Sequence, residues 1–132
     1  MNDTLVTLLK TIPFASLATV NSHGDPLNTV ITTSYRDGSI YWFSLPTTSH
    51  SVNIALNNKV SVVVYDQSRQ QKDVAYIDST AEVLDKTDSV YAGLFPDQAM
   101  RVETMDLYCV RIGEVDQAKT KDDRHYFKGT TA

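Results

Sequence analysis

Residues 39–66, SIYWFSLPTTSHSVNIALNNKVSVVVYD, decide the fold. Ile40 to Leu45 is a dense aromatic and apolar run, the composition of a strand buried on both faces. Pro46 stops it. Thr47, Thr48, Ser49, His50, Ser51 and Asn53 then open a short helical pattern in which Val52, Ala55 and Leu56 share one face. Val60 to Tyr65 is a second strand. The unit reads strand, hydroxyl-rich helix start, helix, strand.

A helix N-terminus carries unpaired backbone N–H groups and the positive end of its dipole. One hydroxyl among Thr47, Thr48 and Ser49 suffices as an N-cap, worth about 1 kcal/mol. Ser49, His50, Ser51 and Asn53 are then left over, and the short polar ones weaken a helix by competing for its backbone bonds. Four hydroxyls and an imidazole around that end make a candidate phosphate cradle.

Upstream, Leu5, Leu8, Leu9 and Ile12 form an apolar stripe on a helix capped by Asn2 or Asp3 and ended by Pro13. Phe14 to Val20 is a strand rich in small residues. Asn21 to Asp25 is a turn, and a strand from Leu27 to Tyr35 follows. Leu27, Thr29, Ile31, Thr33 and Tyr35 share one face; Asn28, Val30, Thr32 and Ser34 share the other. Both faces mix hydroxyls with apolar groups, which suits a flat ligand with a polar rim and also suits threonine's plain β-propensity. Arg36, Asp37 and Gly38 turn the chain into the central strand.

Downstream, Gln67 to Lys72 is a polar, exposed loop. Asp73 to Asp85 is a long strand with Ala75, Ile77, Ser79, Ala81 and Val83 facing inward. Its outward Asp78 and Glu82 read as solvated charges. Thr87 or Asp88 starts another helix, with Val90, Tyr91, Leu94 and Phe95 apolar and Pro96 closing it. Leu107 to Val115 is a further strand, and Arg124 to Phe127 adds a short last one. Six or seven strands in hairpin order, with short helices inserted, predict a small antiparallel barrel in a mainly β (α+β) chain.

The chain has 132 residues, the length of a single domain spanning 1–132, and a core of this size gains from a partner subunit. A net charge of −4 argues against nucleic acid as a partner. No apolar run approaches the ~20 residues that span a bilayer. Met1 to Lys10 lacks the features of a secretory signal, and the single Cys109 reads as a small buried hydrophobe. These features lead us to expect a cytoplasmic setting. There is no GxGxxG, P-loop or zinc-ligand pair, and no local Ser, His and acid motif. Electron chemistry would therefore need a cofactor.

The order of motifs resembles the short members of the pyridoxamine 5′-phosphate oxidase-like family, the FMN-binding split barrels. The matching features are Ala18-Thr19 before a Gly-containing turn, Pro26, the hydroxylated strand, Tyr41 to Ser44, Ser49-His50-Ser51 with Asn53, Val60 to Asp66, and Ala75 to Glu82. The resemblance implies a homodimer with FMN in two clefts at the subunit interface, acting on a small-molecule substrate. It implies that Asn28, Thr29, Val30, Ile31 and Thr32 line the flavin ring, and that Phe43 and Ser44 sit near the ribityl chain and phosphate. Ser49 and His50 stand where many members place an Arg-Lys pair on the phosphate, and Asn53 matches a polar flavin contact. From the residues themselves we assign no catalytic side chain and no metal ligand. The departures argue against pyridoxamine phosphate oxidation itself. Thr32 lies in the strand where the true oxidases carry a Lys, Val74 stands where they carry a Gln, and Arg124-His125 lacks their Arg-x-His spacing. A flavin-dependent oxidoreductase is the first expectation. The alternative is a non-catalytic module that holds flavin, a deazaflavin or haem as a carrier or sensor.

Overall fold

A computed structural model of the chain describes residues 1–95 and 103–129. Helix α1 spans Asp3–Thr11; strands β1 to β4 span Phe14–Val20, Pro26–Thr32, Ser34–Arg36 and Ser39–Ser44. Helix α2 spans Ser49–Leu56, and β5 to β8 span Lys59–Val64, Val74–Leu84, Asp106–Val115 and Arg124–Gly129. The strands form one eight-stranded sheet in the order β2-β1-β5-β6-β8-β7-β4-β3, with β6 also pairing β7. No ladder joins β2 to β3, so the barrel is split.

Two expectations about the sheet are corrected. There are eight strands because the segment 27–35 breaks at Thr33, whose N–H donates to Pro13 O at 2.9 Å instead of continuing the ladder. The sheet is also not wholly antiparallel: β8 pairs parallel to β6, with Tyr76 opposite Tyr126. β8 folds back antiparallel on β7, and β7 is itself antiparallel to β6, so β8 runs parallel to β6.

Local chemistry explains most elements. Asn2 Oδ1 accepts Leu5 N–H at 2.9 Å, capping α1, whose Leu5, Leu8 and Leu9 enter the core. Asp37 and Gly38 both have positive φ, 48° and 81°, the signature of the two-residue turn whose twist suits a hairpin. β4 is buried on both faces, as its composition predicts. Its inner face places Trp42 against Tyr108, rings stacked at 5.6 Å. Its outer face carries Tyr41, covered by the segment around Tyr91. Arg36 fastens that segment by donating to Val90 O and Ala92 O. The segment is a single 3₁₀ turn, Ser89–Tyr91, rather than the expected helix, and Pro96 lies outside the described residues. Val83 is 58% exposed, not inward, because β6 has by then passed from β5 to β7 at the end of the barrel. Glu82 pairs with Arg111 Nε at 2.8 Å. Cys109 is fully buried, and burial pushes its thiol up and keeps it protonated.

Gly113 and Gly129 mark where β7 closes on β8. A Cβ at Gly113 would clash with Lys128 O, a backbone atom that cannot rotate away. Gly113→Ala is expected to lower stability by about 3 kcal/mol, seen as a drop in Tm of roughly 10 °C by circular dichroism.

Candidate functional site

α2 is amphipathic in the opposite sense to its sequence pattern. His50, Ser51, Asn53 and Ile54 are buried, whereas Val52 and Leu56 are 45% and 67% exposed. The polar residues turn inward because each finds a partner. Thr48 caps the helix, its Oγ1 accepting Ser51 N–H at 3.3 Å and lying 2.7 Å from Ser51 Oγ. His50 Nε2 lies 2.8 Å from Ser44 Oγ at the end of β4. Asn53 Nδ2 donates to Thr19 Oγ1 on β1 at 3.0 Å. These bonds fix α2 against β1 and β4.

This arrangement gives His50 a different task from the one expected. It is 9% exposed and shares its Nε2 with Ser44. Burial holds its pKa below the ordinary 6.5, favouring the neutral ring. The unfolded chain takes up that proton first, so the contribution is complete above about pH 6.5 and is lost as pH falls below it. Tm should therefore fall from about pH 7 to about pH 5, with a shallower slope in His50→Gln. Thermal scans across that range check it.

Beside the first turn of α2 opens a cavity of about 390 Å³. Thr47, Ser49, Val52 and Asn53 line one side. Leu27 and Pro26 of β2 line the other, with Asn21 and Asp25 from the β1–β2 turn. Asn21 organises that turn, its Oδ1 accepting His23 N–H and Asp25 N–H, both at 2.9 Å.

A second groove, about 710 Å³, lies on the outer face of β2, β1 and β5. Val30, Ser16 and Val63 form its floor, and Phe14 and Tyr65 rise at its edge. Strand register continues this floor as one row across five strands: Val30, Ser16, Val63, Tyr76, Tyr126. Tyr76 and Tyr126 stack at 4.4 Å. The flanking row is polar or small: Asn28, Ala18, Ser61, Asp78, Lys128. Val30, Phe14 and Tyr65 are 73%, 54% and 45% exposed, so this apolar floor faces outward, uncovered by the described residues. Asp66 borders the groove, but its carboxylate accepts from Ser68 and Gln71. Those bonds hold it below the usual carboxylate range and anchor the loop that follows.

The expected site residues therefore separate. Ser49 and Asn53 share the cavity with β2. Asn28, Val30 and Thr32 project on the outer face, while Thr29 is half-buried and Ile31 points into the core. Ser44 and His50 form a buried pair behind the helix. Phe43 faces away, packing edge-on against Phe95 at 5.3 Å beside another cavity. The sequence reading missed Asn21, Asp25, Phe14, Ser16, Val63 and Tyr65. The alternation of β1 and β5 carried a signal for Phe14, Ser16 and Val63, since Phe14 and Ser16 stand opposite β2 residues and Val63 stands opposite Ser16.

The lining residues Asn21, Thr47 and Ser49 suit the hydroxylated chain of a flavin. For a phosphate the cavity beside α2 offers hydroxyls and the first N–H groups of α2, with no Lys or Arg among the lining residues.

Residues 1–131 match the family model described as pyridoxamine 5′-phosphate oxidase. No curated protein matches the sequence. Among solved structures, the fold is similar to a candidate pyridoxamine 5′-phosphate oxidase from Lactobacillus delbrueckii. Identity is 19% and the TM-score 0.66, over 84% of this chain and 88% of that one. It is also similar to the haem storage protein of Vibrio cholerae, at 14% identity and TM-score 0.61, over 79% and 84%. An Agrobacterium tumefaciens protein of unknown function matches at 18% identity and TM-score 0.66; 81% of this chain covers 52% of it, about half its length. At such identities the structural likenesses establish the fold. With the family model spanning nearly the whole sequence, the chain belongs to the pyridoxamine 5′-phosphate oxidase family.

Proposed function

We propose that this protein is a homodimeric FMN-binding oxidoreductase acting on an unidentified small substrate. The observation that carries the reading is β2 itself: it borders both the hydroxyl-lined cavity at the start of α2 and the outward apolar groove. A planar cofactor with a hydrophilic tail needs those two environments side by side. An apolar row with a polar row beside it, spread over five strands, also has the anatomy of a subunit interface. A second copy laid on that face would turn an open groove into a closed cleft.

Bound flavin supplies hydride and single-electron transfer. The residues of this chain bind and orient. Thr47 and Ser49 meet the tail, Asn28 and the β2 backbone meet the ring edge, and Val30, Phe14 and Tyr65 keep water from it. Asp25 and Asp66 are the acids at these two sites, and Asp66 is already engaged by its own loop. We assign proton transfer to neither.

A carrier or sensor of haem is the second reading, raised by the likeness to a haem storage protein. Neither the cavity nor the groove is lined by His, Cys or Met among the described residues; Tyr65, at the groove's edge, is the one lining side chain of haem-ligating type. A deazaflavin would use the same floor as flavin.

The test is reduction of the flavin-loaded protein. Bleaching by NADH or NADPH without oxygen, and recovery on adding an acceptor, is the expected result. Flavin that stays oxidised with every donor would favour the carrier.

A further inference from the structure

The cavity at the start of α2 holds one carboxylate, Asp25, and no cationic side chain. The nearest imidazole in the helix, His50, is turned inward and committed to Ser44. Asp25 is held in place: its N–H is bound by Asn21 Oδ1 at 2.9 Å, and Asn21 Nδ2 lies 3.4 Å from its Oδ2. A phosphate dianion placed here would meet a carboxylate at short range and find no countercharge among the described lining residues. Helix N–H groups offset part of that repulsion, but their field is equivalent to only about half a charge. A neutral polyol meets no such penalty. Its hydroxyls can donate to the Asp25 carboxylate and exchange hydrogen bonds with Thr47, Ser49 and Asn21.

We infer that this cavity is a polyol site rather than a phosphate site, so that the protein accepts riboflavin about as readily as FMN. The inference rests on the flavin reading above and concerns what that site recognises. Apolar contact with the ring would then supply most of the affinity, and the phosphate would add little.

The test is a pair of fluorescence-quenching titrations of the full-length protein, one with riboflavin and one with FMN. We expect the two dissociation constants to agree within about tenfold. Asp25→Asn should then tighten FMN relative to riboflavin by at least threefold, because FMN alone carries the charge that Asp25 repels, whereas riboflavin loses only a carboxylate partner for its hydroxyls. FMN more than tenfold tighter than riboflavin in the native chain would overturn the inference; it would mean that a cation reaches the phosphate from the second subunit. An Asp25→Asn variant that shifts both flavins equally, or neither, would also overturn it. If neither flavin quenches, the flavin reading itself fails and this inference with it. That outcome is distinct from tight FMN with weak riboflavin, which keeps the flavin and discards only the polyol site.

Discussion

Trp42→Ala is expected to unfold this protein near its working temperature. Trp42 is fully buried in β4, at the centre of the main core, with its ring stacked on Tyr108. Truncating a buried Trp costs about 3–5 kcal/mol in lost transfer energy and residual cavity. Whole domains hold only about 5–15 kcal/mol. The midpoint should drop by roughly 10–20 °C. The conservative variant separates packing from hydrogen bonding. Trp42 Nε1 is buried without a hydrogen-bond partner among the described residues, so Trp42→Phe forfeits volume but no described polar contact. It should cost about half as much or less. Chemical denaturation of the three proteins checks the order. Equal losses for Ala and Phe would show that the indole N–H has a partner after all.

Val30→Asp should leave the barrel folded and abolish both self-association and flavin binding. Val30 is 73% exposed within one chain, so the substitution removes no core contact. In the proposed dimer it is an apolar floor residue, and each of the two copies would bury an unpaired carboxylate. Burying a charge without a partner costs several kcal/mol, which at about 1.4 kcal/mol per tenfold raises the dimer dissociation constant by at least a hundredfold. Sedimentation should show monomer at micromolar concentration with an unchanged circular dichroism spectrum. Val83→Asp is the matched control, because Val83 is also exposed, at 58%, but sits at the far end of β6, where that strand pairs with β7. It should remain dimeric.

Much of the fold was legible because local patterns and tertiary needs agreed. The run Ile40–Leu45 has no polar interruption wide enough for a solvated face, and β4 is indeed covered on both sides. Asn2, Pro13, Asp37 and Gly38 act within a few residues of themselves, so their effects can be read without the fold. What was not legible depends on partners distant in sequence. The break at Thr33 is decided by Pro13 O. The parallel pairing of β8 with β6 depends on β7, which pairs antiparallel with both. The inversion of α2 depends on Ser44 and Thr19 standing ready to satisfy His50 and Asn53. Periodicity grouped Val52, Ala55 and Leu56 on one face, but it weighs apolar character and not the available hydrogen bonds that turn the polar side inward. The same limit affected the site. Ser49 and Asn53 were found through their neighbours in sequence, whereas Asp25 and the outer row need the register of β1 on β2 to bring them into view.

The reading of this family member as a flavoprotein stands on the joint surface that β2 makes with α2 and with the outer sheet. The most direct measurement is the visible spectrum of the purified full-length protein after incubation with FMN and removal of excess by gel filtration. The account predicts a yellow dimer that retains one oxidised flavin per chain. A colourless protein, or a band from retained haem with no flavin, would contradict it.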